Sequence, residues 1–295
     1  MTEDVLLRLP IPSTMGYYAP YQNAGSVENK GWDLAIAYRN QTGDFKYGAS
    51  FVLSDVKNKV IDLKDTGPYN YTATTIREGE PINALFGYEA DGLFQSQSEV
   101  DEHAIQFGTV EPGDIKYKDQ NGDGVINSDD RVVIGNQIPR FSYGLDLTAG
   151  YKGFDARILI QGIGDVDGYL DGDAIWAFHN GGKIQQWNID EHWTPENPDA
   201  EYPRYWIAYP NNQKVSTYWM RSAAYLRLKN VQLGYSFPKR WIDKLHISKL
   251  RVYVASDNLL TLANFYPGWD PETSIRDDNQ HIFMASYIFG VNVQF

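Results

Sequence analysis

The sequence predicts an all-β protein, an antiparallel transmembrane β-barrel segment of about eight strands with long loops. The first observation is the end of the chain, where odd-numbered residues from Phe283 to Phe295 are apolar and most even-numbered ones are polar or small. The second is that this alternation recurs along the chain, and the third is that the connections fall into two length classes. An apolar row opposite a mostly polar row suits a strand with lipid outside and a wetter interior.

The strands follow in chain order from this alternation. In the third of them, Phe45 to Leu53 places aromatic and aliphatic residues opposite Lys46, Gly48 and Ser50. The fourth and fifth are joined directly, with Leu159 as the one exception to the pattern, and the sixth is irregular at its start near Tyr225. Eight crossings are predicted near 5–10, 32–40, 44–54, 140–151, 153–163, 222–237, 249–260 and 282–295. The strand-like segment Leu85–Phe94 would place a short turn and a long loop on the wrong sides, so we expect a hairpin within an outer loop.

The connections support one orientation. Those at 41–44, 152–153 and 238–249 are short or moderate, whereas those at 10–31, 54–140, 163–220 and 261–280 are long. Transmembrane barrels keep short turns on the periplasmic side and long loops outside. Phe295 then lies at the periplasmic end, near an aromatic girdle formed by Tyr38, Phe45, Tyr151, Phe154, Tyr235, Phe237 and Phe295.

Composition excludes several classes of function. The net charge of -12 argues against nucleic acid as a partner, because phosphate binding requires basic patches. With no Cys, the chain has neither disulfides nor thiolate metal sites. The five His residues show no metal-ligand spacing, and we find neither a Gly-x-Ser-x-Gly elbow nor a phosphate loop, so we predict no enzyme. Residues 1–9 do not resemble a signal peptide.

One segment carries explicit ligand chemistry. From Asp119 to Asp130, oxygen-bearing side chains stand at positions 1, 3, 5, 9 and 12 of a twelve-residue calcium loop, with Gly124 at position 6 for the sharp turn. The predicted calcium ligands are Asp119, Asn121, Asp123, Val125 through its carbonyl, Asn127 and Asp130. Position 12 is Asp rather than the usual Glu, and no flanking helix pair is evident. The alternative is an Asn-Gly/Asp-Gly turn held by its own side chains.

Aromatic residues are dense in the connection 163–220. They are Trp176, Phe178, Trp187, Trp193, Tyr202, Tyr205, Trp206, Tyr209, Tyr218 and Trp219. Such rings could stack on sugars, or they could pack a large ordered loop and its interface with a lid protein. We favour packing, because aromatic enrichment alone does not distinguish these uses.

Several segments together resemble the SusC/RagA type of TonB-dependent outer-membrane transporters of Bacteroidetes. They are LPIPST at 9–14, NAGSVENKG at 23–31, GYEADGLFQ at 87–95, PGDIKYKD at 112–119 running into NGDG at 121–124, IGN at 134–136, WTPENP at 193–198, YLRLKN at 225–230 and SDNL at 256–259. The resemblance covers essentially the whole chain, and several motifs in one order make it specific.

The resemblance implies that residues 1–295 form the C-terminal part of a barrel of about 22 strands. The plug domain, the segment that engages TonB and the earlier strands are expected to lie outside this chain, which should not transport by itself. The implied partners are a SusD-like lipoprotein lid, TonB through the missing N-terminal part, outer-membrane lipid, and the barrel-assembly machinery through Phe295. The implied location is the outer membrane, and the implied function is part of an importer of oligosaccharides or peptides.

A different class of function remains open on the residues alone. An alternating strand also suits a soluble sandwich, in which the apolar row faces a core. The alternative is therefore a soluble or surface-attached calcium-binding β-sandwich that binds carbohydrate.

Overall fold

The structure is a computed structural model that describes residues 6–8, 21–23, 25–64, 67–173, 175–205, 211–273 and 283–295. The resemblance motif at 9–14, two of the loop aromatics (Trp206 and Tyr209) and the start of the last predicted strand lie outside the described residues. Within these ranges, no helix combines the length and the apolarity needed to span a membrane.

Strands dominate the described residues. In chain order they are β1 Leu6–Arg8, β2 Tyr21–Asn23, β3 Ser26–Thr42, β4 Phe45–Asp62, β5 Tyr69–Asn70, β6 Thr74–Ile76, β7 Ala84–Gly87, β8 Ala90–Leu93, β9 Ile115–Tyr117, β10 Val132–Gly135, β11 Phe141–Tyr151, β12 Phe154–Gly164, β13 Asp167–Tyr169, β14 Met220–Ser222, β15 Tyr225–Ser236, β16 Lys249–Ala263 and β17 Ser286–Gln294. The α-helices are α1 Gln97–Glu102, α2 Gln186–Asp190 and α3 Lys239–Ile242. Single 3₁₀ turns occupy Ser128–Asp130, His179–Gly181, Thr217–Trp219, Asp243–Leu245 and Pro271–Thr273.

The main sheet has seven strands in the order β17-β16-β15-β12-β11-β4-β3. All its pairs are antiparallel and join strands that follow one another among the long strands, as in a barrel wall. Seven of the eight predicted crossings are therefore strands of one sheet. The crossing predicted near 5–10 is described only as β1, which pairs with β2 in a separate two-stranded sheet.

The two faces of the main sheet differ in chemistry. The cross-strand register aligns Tyr47, Ala149, Ala156, Leu233, Val254 and Phe289 on one face. Leu233 is 55% exposed and Phe289 is 73% exposed. The opposite face carries charged residues in pairs, with Arg157 Nη2 2.6 Å from Asp146 Oδ2. A continuous exposed apolar face is unusual for a soluble monomer and marks a surface that contacts lipid or another protein.

The connections β3–β4 and β11–β12 are tight turns, whereas the one between β15 and β16 contains α3 and a 3₁₀ turn. The β11–β12 turn has positive φ at both central residues, +46° at Lys152 and +94° at Gly153, as a type I′ hairpin requires. Adjacent to this turn, Phe45, Tyr151, Phe154 and Tyr235 form one cross-strand row. Four of the seven residues predicted to form an aromatic girdle thus lie in one row at the short-turn end of the sheet.

Two strands continue beyond the predicted limits, and one contains a bulge. The pair β3–β4 extends to Ser26 and Asp62, with a shift of register between Ser26 and Val27. Both faces carry polar residues in this extension, so the alternation no longer signals a strand. The irregularity near Tyr225 is a β-bulge in β15, where Leu228 and Asn230 are consecutive partners of β16 and Lys229 is skipped. The bulge keeps Leu226 and Leu228 on the apolar face with Val231 and Leu233.

The large buried core lies in the long connections, whereas a smaller one includes Val27 and Val60 at the long-loop ends of β3 and β4. A large cluster is built around Leu85, Ile115, Tyr117, Tyr169 and Trp219, and a smaller one around Val60 and Leu63. The segment 85–94 is strand-like and outside the main sheet, as predicted. It is not a hairpin, however, because β7 pairs with β6 and β10 whereas β8 pairs with β9.

Candidate functional site at the long-loop end of the sheet

The long connections 63–140 and 165–224 are tied together through their main chains. Tyr88 N donates to Val215 O at 2.8 Å, and Thr217 N donates to Tyr88 O at 3.0 Å. The hydroxyl of Thr217 also accepts a hydrogen bond from Ala90 N. Gly87 permits this approach, because a Cβ at this position would lie 2.3 Å from Val215 O. Two segments far apart in sequence thus form one assembly above the strands.

A buried polar network stands at the centre of this assembly. Asn212 accepts from Ile115 N at 2.9 Å and donates to Asp114 Oδ1 at 2.9 Å. Gln106 Nε2 donates to Asn211 Oδ1 at 3.1 Å. All four side chains are buried. Because a buried polar group that loses its partner costs about 1–3 kcal/mol, these pairings fix how the two connections face each other.

A salt bridge closes one side of the network. Arg204 Nε lies 2.8 Å from Asp114 Oδ1, and Arg204 Nη1 lies 2.6 Å from Glu111 Oε2. Beside it, a cavity of about 30 Å³ is lined by Arg204, Trp176, Asn188 and Trp219, among others. Such a volume accommodates a water-sized group and not a nutrient.

The loop aromatics pack mainly against one another. Trp193, Tyr202 and Trp219 are buried in the large cluster, which confirms the packing interpretation for these three. The Trp187 and Tyr202 ring centroids are 4.6 Å apart. Burial raises the pKa of Tyr202 to about 12 and raises the pKa of Tyr218 further, so both are neutral hydroxyls at pH 7.

The buried cation of Arg227 holds residues 264–273, the first part of a third long connection, against the sheet. Arg227 is fully buried and lies on the polar face of β15. Its Nη2 contacts both carboxylate oxygens of Asp270 at 2.7 and 2.6 Å, and its Nε donates to Thr261 Oγ1 at 2.9 Å. Its Nη1 lies 3.2 Å from Glu272 Oε1. The described part of this connection therefore folds over the polar face of the sheet.

The predicted calcium ligands all lie on one turn of the first connection, and all but the buried Asp130 are at least partly exposed. Asp119 accepts from Gly122 N at 2.7 Å and from Gly124 N at 2.8 Å. The hydrogen bond from Gly124 is the largest of the effects that lower the pKa of Asp119 below 3.8, so this carboxylate is ionised at neutral pH. Gly124 has φ +82°, which suits the sharp turn predicted at position 6.

The other four predicted side-chain ligands also accept hydrogen bonds from main-chain N–H groups. Asn121 accepts from Asp123 N, Asp123 from Val125 N, and Asn127 from Asp129 N, each at 2.8 to 2.9 Å. Asp130 is fully buried and accepts from both Gln120 N and Asn127 N. In the described ranges, no three His, Cys, Asp or Glu side chains are arranged to hold a metal ion. The loop is thus organised by its own side chains, as in the turn alternative.

The sequence alone gave little indication of which residues hold the loop assembly together. Asp114 and Asn212 are 98 residues apart, and nothing in their local sequences indicates that they pair. Arg227 sits in the motif YLRLKN, but alternation alone places it on the polar face without showing that it is buried.

The chain is similar in sequence to several known proteins. No family model matches the chain. The TonB-dependent receptor P3 of Formosa agariphila is 32% identical over 289 residues, which cover 94% of this chain and 28% of that protein. TonB-dependent receptor SusC of Bacteroides thetaiotaomicron is 26% identical over 304 residues, covering all of this chain and 29% of that protein. The chain thus spans less than a third of the length of these relatives.

Solved structures show the same fold. The RagAB peptide transporter matches this chain with a TM-score of 0.79 and 23% sequence identity. The match covers 99% of this chain and 32% of the transporter chain. The RagAB peptide importer in its closed-closed state gives a TM-score of 0.77 over the same shares. At this level of identity the likeness establishes the fold.

Proposed function

We propose that this chain, which is homologous to a portion of the SusC/RagA-type TonB-dependent receptors, forms part of the outer-membrane wall and outer loops of a nutrient importer. The strands would cross the membrane, and the loop assembly would face the exterior. In the whole protein, this part would complete a barrel together with a plug and further strands. Engagement with TonB would be made by the N-terminal part of the receptor, outside this chain.

The observation that carries the proposal is the two-faced main sheet. Its apolar face is exposed across all seven strands, and its polar face carries ion pairs such as Arg157–Asp146. All described loop cores lie at or beyond one end of the sheet. A bilayer removes the apolar face from water while the polar face lines a wet interior.

The deciding experiment places a charge on each face at adjacent positions. Leu233→Arg puts a cation on the exposed apolar face, whereas Gln232→Arg puts it on the polar face. In a bilayer, Leu233→Arg should cost roughly 1–2 kcal/mol, because Leu233 lies between the aromatic row and the midplane, and Gln232→Arg should cost little. The measurement is urea unfolding in lipid vesicles, followed by heat-modifiable electrophoretic mobility. A tolerated Leu233→Arg would refute a lipid-facing apolar face, and a wild type that is folded and monodisperse without detergent would instead support the soluble sandwich.

For cargo and partner, the relatives support an oligosaccharide or peptide taken up beneath a SusD-like lipoprotein. RagAB is named as a peptide transporter, and SusC is a TonB-dependent receptor. The buried network of Asp114 and Asn212 would give such a lid a preorganised surface to rest on. Co-purification of a SusD-like lipoprotein with the complete receptor, and its loss on Asn212→Ala, would test this role.

We also propose that the loop Asp119–Asp130 binds calcium through the six predicted positions. Support comes from the spacing of its oxygen groups, the ionised Asp119 and the main-chain pairing of Ile126 N with Ile105 O at 2.8 Å, which anchors the loop. The ion would use lone pairs left on oxygens that already accept N–H groups, so modest affinity is expected. A Kd on the order of 10⁻⁴ to 10⁻³ M is typical of extracellular calcium modules.

Calcium binding is tested by titration calorimetry with calcium chloride on the folded chain. Asp119→Asn removes a ligand charge and should weaken uptake about tenfold or more. Asp129→Asn is the matched control, because Asp129 is exposed in the same loop and is not a predicted ligand. Equal heats in the presence and absence of chelator would refute the calcium proposal and leave the self-capped turn.

A further inference from the structure

The short-turn end of the sheet has the opposite charge to the chain as a whole. The net charge is -12, yet the turns here expose Lys152, Lys239, Arg240 and Lys244, with Lys249 beginning the next strand. The acids in these turns are Asp44 and Asp243. Lys152 Nζ lies 3.8 Å from Asp44 Oδ2, while Lys239, Arg240, Lys244 and Lys249 make no ion pair within the described residues. We call these five cations the basic rim.

An aromatic series leads from the apolar face to the basic rim. The Phe154 and Tyr235 ring centroids are 4.6 Å apart, those of Tyr235 and Phe237 5.1 Å, and those of Phe237 and Trp241 6.2 Å. Trp241 is 56% exposed on α3, although its neighbour Ile242 is buried. Tryptophan and tyrosine favour the level of lipid headgroups, where the ring is apolar and the N–H or O–H remains wet.

An apolar groove opens at the same end of the apolar face. It has a volume of about 430 Å³ and is lined by Tyr151, Phe154, Leu233, Tyr235, Val254 and Phe289, among others. The groove adjoins the rim directly, since Lys152 Nζ lies 5.2 Å from the centre of the Tyr151 ring. Gly153 O accepts from Ser236 N at 2.7 Å, which holds the Lys152 turn beside the segment that leads to Lys239 and Arg240.

We infer that this end of the chain holds an anionic glycerophospholipid, its phosphate on Lys152, Lys239 and Arg240 and an acyl chain in the groove. The inference rests on the proposed function, because the groove faces lipid only if the strands cross a membrane. Charge complementarity and the adjacent groove together favour this occupant: a free phosphate would leave the groove unused, and an acidic protein segment would not fill it. Anionic headgroups are a common target of basic clusters at a membrane surface.

The test reconstitutes the chain into nanodiscs of phosphatidylcholine, either alone or mixed equally with phosphatidylglycerol. The lipid retained after detergent extraction is counted by native mass spectrometry. The variant Lys152→Gln/Lys239→Gln/Arg240→Gln removes three rim charges. The control Lys57→Gln/Lys59→Gln/Lys183→Gln removes three exposed charges at the long-loop end. The wild type and the control should retain phosphatidylglycerol preferentially, and the rim variant should lose about tenfold or more of this preference.

A second measurement needs no variant. The preference of the wild type should fall as salt is added, because exposed charges are screened beyond about 8 Å at physiological ionic strength. Equal phosphatidylglycerol retention by wild type and rim variant, or complete displacement by inorganic phosphate, would overturn the inference. Wild type that inserts into nanodiscs without lipid preference overturns this inference alone. Wild type that stays soluble and uninserted overturns the proposed function with it.

Discussion

Removing the charge of Arg227 should release the third long connection from the sheet. The substitution Arg227→Met keeps most of the buried volume of a fully buried side chain and leaves Asp270 and Glu272 facing each other without a cation. Breaking a buried ion pair by removing one partner costs about 3–5 kcal/mol, because the remaining charge is left uncompensated. The local opening equilibrium of this connection should therefore rise by roughly 10² to 10³-fold.

Amide hydrogen exchange measures this opening directly. The useful amides are Trp269 N and Thr273 N, which donate to Tyr266 O and Asp270 O at 3.1 and 2.9 Å inside the connection. Their protection should fall in Arg227→Met, while the amides of β11 and β12 should stay protected. Opening of the connection without loss of the sheet would show that the cation pins the loop locally.

The matched control is Arg157→Met. Arg157 also contacts a carboxylate with two nitrogens, but its side chain is 50% exposed and that of Asp146 is 30% exposed. Exposed pairs contribute about 0–1 kcal/mol, so this variant should change exchange little. Adding Asp270→Leu to Arg227→Met should recover part of the loss, since it removes one of the two orphaned carboxylates. Similar effects of Arg227→Met and Arg157→Met would refute the argument from burial.

Three further predictions concern the loops and turns. Burial raises the pKa of the Tyr218 and Tyr266 hydroxyls above 10.0, so the folded loops favour the neutral hydroxyls and lose stability as the pH rises above 10. The near-UV circular dichroism of the loops should therefore be constant below pH 10 and should be lost above it, as tyrosinate absorbance rises. Gly153→Val should destabilise the protein by about 1–3 kcal/mol, because φ is +94° and the added Cβ would lie 2.7 Å from Ser236 O. The temperature at which the electrophoretic mobility changes should fall in this variant. It should change little in the control Gly43→Asn, because Gly43 has φ +60° and stands in open space. Asn212→Ala should cost about 1–3 kcal/mol and speed proteolysis of the connection 165–224, and unchanged proteolysis would show that the buried network does not hold the loops.

The strands were predictable because their signal is local. Each long strand alternates apolar and polar residues with a period of two, and this period persists wherever one face meets an apolar medium. Where that medium ends, the signal ends too: Val56 to Val60 stay paired with β3 residue by residue, although their side chains no longer alternate. Boundaries were therefore underestimated at the long-loop end, while the turns at the other end, marked by Gly43 and Gly153, were placed within one or two residues.

The loop assembly was less predictable because its contacts join distant segments. The segment Leu85–Phe94 was predicted as one hairpin, yet the residues on either side of Glu89 pair with partners in other parts of the connection. Local pattern shows that Leu85 and Phe86 are apolar and extended, but the choice of partner depends on which strand edge the rest of the fold presents. The packing of Trp193 and Tyr202 was predictable as a tendency of aromatic residues, and their neighbours were not.

The location of the buried cores favours a barrel wall over a soluble sandwich as the explanation of this fold. A sandwich buries the apolar face of one sheet against a second sheet at about 10 Å. Here the described smaller sheets have two to four strands and belong to the segments outside the seven-stranded sheet, and residues such as Leu233 and Phe289 remain exposed. The loops, in contrast, bury Leu85, Tyr117 and Trp219 as a water-soluble domain does. One chain thus combines loops that bury their apolar side chains with a sheet whose apolar face stays exposed, as the proposed membrane location requires. The bulge in β15 and the turn at Gly153 keep that face continuous.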